Sequence, residues 1–257
     1  MEPFDPTRPN VARVWDYWLG GKDNFAADRE LAQKMLAVHP PTARMARENR
    51  QFLGRAVSFV AGRGIQQFID VGAGLPTALN THDIAKKVDP DARVAYVDND
   101  PIVISHARSL LAKSPGVIAV PGDMRDPGGI LGDPGLAELI DLTQPACVIM
   151  SGVLHFADAG TAREVAAAFA RAVSPGSYLI ISCGSGNRSE GANFTSEYTA
   201  ARVYIHSLED TLSFFGDLEL VPPGVVPVRG WCGDGPDPDP DQKLPTATFL
   251  GGVALKP

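Results

Sequence analysis

In the first sixty residues, apolar positions recur at helical spacing in three runs, Val11–Leu19, Ala26–Val38 and Thr42–Val60. Gly20-Gly21 and Pro40-Pro41 punctuate them, so the chain is expected to open with three helices. From Gln66 the pattern changes. Short β-rich runs at Gln67–Val71, Arg93–Asp98, Val117–Val120, Ala146–Ser151 and Ser177–Cys183 are separated by helical or loop stretches, among them Ala78–Val88 and Ile102–Leu111. Ala-Cys-Val-Ile-Met and Tyr-Leu-Ile-Ile-Ser are apolar throughout rather than on alternate residues. Strands of that kind are covered on both faces, and their alternation with helices implies a parallel sheet between two helical layers.

Past Gly184 the chain becomes rich in Gly, Ser and Asn, then carries a helical stretch from about Glu197 to Phe215 and two further strands, Leu218–Val221 and Thr248–Leu255. The expected fold is therefore α/β, an open, mostly parallel seven-stranded sheet with helices on both faces. Residues 1–62 would form an N-terminal helical cap and residues 63–257 the sheet domain, with 184–216 as an insertion on the substrate side. The acidic, Pro-rich run Gly233-Asp-Gly-Pro-Asp-Pro-Asp-Pro-Asp241 cannot be regular structure. It is expected to be a solvated loop, with metal binding as the remote alternative.

Charge and composition narrow the class of partner. A formal net charge of −7 without a basic run argues against a surface built to neutralise nucleic-acid phosphates. Cys147, Cys183 and Cys232 lack the spacing of a zinc site or a disulfide framework, which suits a reducing cytoplasm. The opening residues MEPFDPTRPN are polar and Pro-rich, and no stretch approaches the roughly 20 apolar residues that a membrane span needs. A cytoplasmic protein acting on a small molecule is expected, with neither nucleic acid nor membrane as partner.

The chemistry concentrates in Phe68-Ile-Asp-Val-Gly-Ala-Gly-Leu-Pro-Thr77, an apolar strand that ends in Asp70 and enters a glycine turn ahead of a helix. Gly72 and Gly74 allow a ligand to pass close to the backbone. A dinucleotide fingerprint would have a third glycine at Thr77, and Pro76 removes one of the helix-terminal amides that a pyrophosphate needs. Asp70 places negative charge beside the turn, unfavourable for a phosphate and favourable for a sulfonium or an α-ammonium group. The turn therefore favours S-adenosylmethionine over a nicotinamide dinucleotide.

Three more strands end in polar residues aimed at the same crevice. Asp98 lies 24 residues after Gly74, near the roughly 20-residue spacing at which an acid reaches ribose hydroxyls in such folds. Asp100, just before a helix, is expected to be its N-cap. Asp123 in Pro121-Gly-Asp-Met124 reads equally as an acceptor for an adenine amino group or as a turn aspartate ahead of Arg125. The fourth strand ends in Ser151-Gly-Val-Leu-His-Phe156, where His155 would face the reactive end of the cofactor as a candidate general base, or else cap the strand end.

The succession DVGAG, VDNDP, GDM and SGVLHF resembles the cofactor motifs of class I S-adenosylmethionine-dependent methyltransferases, Rossmann-like enzymes, over Phe68 to about Gly184. More closely, Val11 to Arg29, Glu48-Asn-Arg50, Gly74-Leu-Pro-Thr77 and Pro222-Pro-Gly-Val-Val-Pro227 resemble an actinobacterial methyltransferase family long labelled a domain of unknown function. That resemblance implies that Asp70, Gly72 and Gly74 line the methionine part of the cofactor. It gives Asp98 and Asn99 to its ribose, and Asp123 with the Met124 backbone to its adenine. Ser151 and Gly152 would close the crevice.

Three features before the sheet stay open to two readings. Lys22-Asp-Asn-Phe25 after the Gly-Gly break is a candidate lid that would carry Asn24 to the cofactor, or an ordinary cap for the next helix. Trp15, Tyr17 and Trp18 at helical spacing read as core, or else as rings that stack on adenine. The row Arg44, Arg47 and Arg50 reads as a solvated helix face, from which one member would meet the cofactor carboxylate. The reading overall is a methyltransferase with an unidentified small acceptor. Its rivals are a nicotinamide-dependent oxidoreductase and a non-catalytic S-adenosylmethionine-binding protein.

Overall fold

Asn10 starts the first helix by accepting hydrogen bonds from the amides of Ala12 (2.8 Å) and Arg13 (3.3 Å), satisfying two of the donors that a helix N-terminus leaves open. In the computed structural model, which describes residues 5–76, 80–111, 114–186, 188–235 and 247–257, this helix, α1, spans Val11–Leu19. It ends at Gly20 in the left-handed conformation, the usual C-terminal stop. Helices α2 (Ala26–Val38) and α3 (Thr42–Gly62) follow. Arg13 and Asp28 form a fully buried ion pair at 2.8 Å that ties α1 to α2. Asp28 also accepts from the amides of Asn10 and Phe25, so the buried charge is fully bonded.

The sheet strands are β1 (Gln67–Val71), β2 (Arg93–Asp98), β3 (Val117–Pro121), β4 (Cys147–Ser151), β5 (Tyr178–Gly186), β6 (Glu219–Leu220), β7 (Val226–Pro227) and β8 (Ala247–Leu255). They run in the order β3-β2-β1-β4-β5-β8-β6, with β7 off this path on β8. The first five are parallel and β8 is antiparallel to β5. The sheet thus has eight strands where seven were expected. The addition is the two-residue β7, too short to leave a periodic signal. Helices α4 (Thr81–Val88), α5 (Pro101–Leu111), α6 (Pro127–Leu131), α7 (Pro134–Leu139) and α8 (Ala159–Ala172) connect the parallel strands. Positions 77–79, where the turn helix was expected to begin, and most of the acidic Pro-rich run lie outside the described residues.

Both faces of the sheet are buried, as the unbroken apolar strands require. Val71, Val97, Val148 and Leu179 pack with Phe169 of α8 on one side. Phe68, Ile149 and Ile180 pack with Phe52 and Val57 of α3 on the other. A third, smaller cluster joins Val14, Trp18, Leu31 and Met35 to Tyr198 and Val203 from the far end of the chain.

The single helical stretch expected from Glu197 to Phe215 is corrected. Helix α9 (Arg188–Glu197) ends where that helix was to begin, and α10 (Leu208–Ser213) starts afresh behind a Ser207 N-cap. Between them the backbone bonds outwards, with the Tyr204 amide donating to the His155 carbonyl at 2.8 Å and the His206 amide to that of Gly184 at 3.3 Å. β-branched Val203 and Ile205 suit this extended run better than a helix. Strand order reverses at β1, between β2 and β4, and such a switch point opens a crevice beyond the strands' carboxyl ends.

Candidate functional site

The crevice at the switch point encloses about 400 Å³. Its floor is the turn after β1. Gly72 has φ of 71°, and a Cβ there would run into the Val153 side chain. Gly74 has φ of 66°, and the space where its Cβ would stand is open, leaving room for a ligand against the backbone. The turn is tied to its neighbour strand, since the Gly72 amide donates to the Val97 carbonyl at 2.8 Å and that of Gly74 to Asp98 Oδ2 at 2.9 Å.

Asp98 is buried at the end of β2, where Oδ1 also accepts from the Asp100 amide at 2.9 Å. Burial raises its pKa to about 6, and these backbone donors restrain the rise. Asp100 accepts from the Ile102 amide at 2.7 Å through Oδ1, as a capping residue does, while its buried Oδ2 has no partner. Asp70 is buried on β1. Burial raises its pKa, against a hydrogen bond from Thr81 Oγ1 at 2.6 Å and the nearby positive charge of Arg50.

Asp123 turns out to serve the turn and to face the crevice as well. It accepts from the Arg125 amide at 2.9 Å and pairs with that guanidinium, which holds its carboxyl below the usual range. Asn99 and Met124 lie beside it on the crevice wall. At the end of β4, Ser151 joins a closed polar set with Asn49 of α3 and Ser182 of β5. Asn49 Nδ2 donates to Ser151 Oγ at 3.2 Å, the two serine hydroxyls lie 3.0 Å apart, and Ser182 Oγ donates to Asn49 Oδ1 at 2.6 Å. This set pins α3 across the sheet beside Gly152.

The crevice therefore gathers Asp70, Gly72, Gly74, Asp98, Asn99, Asp123, Met124, Ser151 and Gly152. Asn24 and His155 are not among its lining residues. Asn24 instead donates to Asp16 Oδ2 at 2.7 Å and to the Gly21 carbonyl at 3.1 Å, which ties the segment after the Gly-Gly break back onto α1. His155 is turned by a short 3-10 helix, Leu154–Phe156, into a separate apolar cavity, with its ring stacked on that of Trp15 at 6.4 Å. Burial, and then the neighbouring His206, push its pKa down to about 3. The Gly184 amide approaches Nδ1 at 3.5 Å, which assigns the ring proton to Nε2. So weak a base is poorly matched to removing a proton near neutral pH.

Sequence reasoning left Arg50 as one of three candidates for the cofactor carboxylate and did not place Asn49, Asp16 or Trp15 at the site. Arg50 does not share the solvated face of Arg44, which is exposed and paired with Glu48 at 2.8 Å. It reaches into the crevice near Asp70, and burial lowers its pKa while Asp70 raises it. The signal was there, because Ala46, Asn49 and Leu53 place position 50 beside the buried stripe of α3. Asn49, Asp16 and Trp15 complete that wall.

A parallel sheet with a glycine turn at its switch point and an acid at the next strand end is the nucleoside-binding arrangement of class I S-adenosylmethionine-dependent methyltransferases. The chain belongs to the S-adenosyl methyltransferase family, whose model matches residues 1–257. It is similar to a solved protein from Thermobifida fusca described as a methyltransferase, at 41% identity over 97% of this chain and 96% of that one, with a TM-score of 0.88. A DUF574 family protein from Streptomyces avermitilis is 35% identical over 98% of this chain and 99% of that one, with a TM-score of 0.87. The N-methyltransferase NodS from Bradyrhizobium japonicum, solved with S-adenosylhomocysteine, shares the fold at 15% identity and a TM-score of 0.51, over 95% of this chain and 99% of that one. No curated protein matches the chain. The protein is a methyltransferase with S-adenosylmethionine as its cofactor. No helix among the described residues is long and apolar enough to cross a membrane.

Proposed function

We propose that this methyltransferase acts on a small molecule in the cytoplasm, and that the switch-point crevice is where S-adenosylmethionine binds. The observation that carries the reading is the convergence of four strand ends on one crevice, with the backbone at Gly74 open towards it. The residues fit the cofactor. Asp98 has lone pairs left for ribose hydroxyls after accepting two backbone amides, and Asp123 with the Met124 backbone would take the adenine. Asp70, Gly72 and Gly74 would line the methionine part, and Arg50 would meet its carboxylate. Bound S-adenosylmethionine supplies an electrophilic methyl group on a sulfonium. The chain's contribution is to orient that group against the acceptor. His155, neutral and holding its proton on Nε2, would donate a hydrogen bond to the acceptor rather than remove its proton.

Three further proposals follow the same logic. Residues 1–62 and 184–216 would together form the acceptor side, since α1, α2 and the segment around Tyr198 and Val203 bury one cluster. Asn24 would belong to the fastening of that cap rather than to the cofactor contacts. A small acceptor is favoured over nucleic acid by the net charge of −7.

A thermal-shift series tests the reading. S-adenosylmethionine and S-adenosylhomocysteine should raise the melting temperature, and nicotinamide dinucleotides should not, because only a ligand selective for the folded state stabilises it. A shift with the dinucleotides alone would overturn the assignment. Incubation with cell extract should then release S-adenosylhomocysteine; its absence with every extract would favour a protein that binds the cofactor without turnover.

A further inference from the structure

We propose that the apolar cavity holding His155 is the methyl-acceptor site and that its occupant is a neutral, single-ring aromatic molecule bearing a hydroxyl or amino group. The proposal rests on reading the crevice as the S-adenosylmethionine site. Cavity and crevice share Trp15, Ala46 and Phe156, so a ligand in one reaches the wall of the other.

Charge, shape and size each restrict the occupant. Among the described residues no Asp, Glu, Lys or Arg lines the cavity, so an ion entering it would lose its hydration and find no counter-charge there. Its walls are aromatic. Trp15 meets Trp18 at 6.0 Å and 63° and Phe249 at 5.7 Å and 81°, which turns flat faces and ring edges in different directions around one space. Such walls favour a planar ring that can pack edge to face. The volume is about 80 Å³. An apolar cavity of roughly 150 Å³ takes one benzene ring, so this space admits at most a single ring.

A polar group in the lining selects the substituent. Tyr198 is buried in the cavity wall, and its hydroxyl, which has no hydrogen-bond partner, is closed off from the open space, so the wall there presents ring rather than oxygen. The Nε2–H of His155 is the donor that a ligand hydroxyl or amine would meet. In the reaction, the acceptor heteroatom lies at the shared wall and its lone pair forms the bond to the methyl carbon. The methyl–sulfur bond breaks with both electrons left on sulfur, and the acceptor's proton passes to water.

Gly184 offers a variant that closes the cavity without touching the crevice. It lies on β5, lines the cavity, and a Cβ built there meets nothing within 4 Å. Gly184→Val therefore puts a β-branched side chain, well suited to a strand, into the empty space. Phenol, titrated into the full chain with and without saturating S-adenosylhomocysteine and followed by ligand-observed NMR, should bind in both states. Gly184→Val should bind phenol at least tenfold more weakly, with unchanged melting temperature and S-adenosylhomocysteine affinity. His155→Leu should weaken phenol severalfold and leave toluene unaffected. The proposal is overturned if phenol does not bind the parent, if Gly184→Val binds it undiminished, or if benzoate or tetramethylammonium binds as well as phenol. If S-adenosylhomocysteine itself fails to bind while phenol binds the parent and not Gly184→Val, the crevice reading falls, and with it the acceptor role, but the aromatic site is supported.

Discussion

Oδ2 of Asp98 accepts a hydrogen bond from the Gly74 amide at 2.9 Å, so the acid at the end of the second strand also holds the glycine turn after the first. Its other oxygen holds the Asp100 amide at the same distance. Both carboxylate oxygens are therefore in use before any ribose arrives. Asp98→Asn is then no mild change, because an amide offers one acceptor oxygen to two backbone donors and turns its own N–H groups on the other. An unpaired buried amide costs about 1–3 kcal/mol, so Asp98→Asn and Asp98→Ala should both lower the melting temperature. Both should also weaken S-adenosylhomocysteine at least about tenfold, since hydrogen bonds to a charged group are worth about 1.5–3 kcal/mol. Asp100→Ala should cost about 1 kcal/mol of stability and little affinity. Isothermal titration of the three decides it, and the assignment fails if only Asp100→Ala loses binding.

If Asp98 holds the ribose as proposed, the same carboxyl should make cofactor affinity depend on pH. Burial raises the pKa of Asp98 to about 6, whereas hydroxyl donors from a ribose favour the ionised form. Binding below pH 6 must therefore release a proton, and affinity should fall as pH drops through 6, by up to about tenfold per unit. Burial also raises Asp70, so the difference between parent and Asp98→Asn is the readout. Titrations from pH 7.5 to 5 should slope in the parent and flatten in the variant. Parallel profiles would remove Asp98 from the ribose.

How much of this was visible in the chain depended on how local the cause is. The strands β1 and β2 and their terminal acids were readable because an unbroken apolar run ending in a carboxylate is a local signal. The run 198–206 was not, since Tyr198 and Ile205, seven residues apart, share one helical face, and it is the carbonyls of His155 and Gly184 that draw the backbone out. His155 was expected beside the cofactor, but the direction of a single 3-10 turn decides which chamber it enters. Asn24 was read as part of either a lid or a helix cap, because Gly20-Gly21 resembles a hinge and a helix follows. Asp16, which sequence spacing did not mark, captures that segment through the Asp23 amide and the Asn24 side chain.

A neutral buried histidine has a stability signature. The pKa of His155 falls from an ordinary value of 6.5 to about 3 on folding, so between these limits the unfolded chain binds the extra proton. Its contribution is complete above pH 6.5 and is lost as pH falls, at up to about 1.4 kcal/mol per unit. His206 is shifted in the same direction and Asp98 in the opposite one, so again the variant isolates the residue. Urea unfolding at pH 7, 6 and 5 should show His155→Gln losing less stability on acidification than the parent does. Equal losses would mean that the ring is solvated and free to protonate.

On the proposed reading, Arg50 would fix where the amino-acid tail of the cofactor lies. Its guanidinium reaches into the crevice near the buried Asp70, and no other arginine of the α3 row does so, since Arg47 is exposed with Nη1 at 3.4 Å from the Trp18 carbonyl and Arg44 is paired outside. A carboxylate entering there would gain a forked, charge-assisted contact. Adenosine, which lacks the tail, would gain nothing from it. Arg50→Met should therefore weaken S-adenosylhomocysteine by at least about tenfold, the effect of roughly 1.4 kcal/mol, and leave adenosine where it was. Arg50→Lys keeps the charge and loses the fork, so it should fall between. Arg47→Met should change neither ligand. Because removing Arg50 also leaves Asp70 without its nearby positive charge, melting temperatures of each variant separate a loosened core from a lost contact. An equal loss for adenosine and S-adenosylhomocysteine would assign Arg50 to the packing of α3 and move the carboxylate elsewhere.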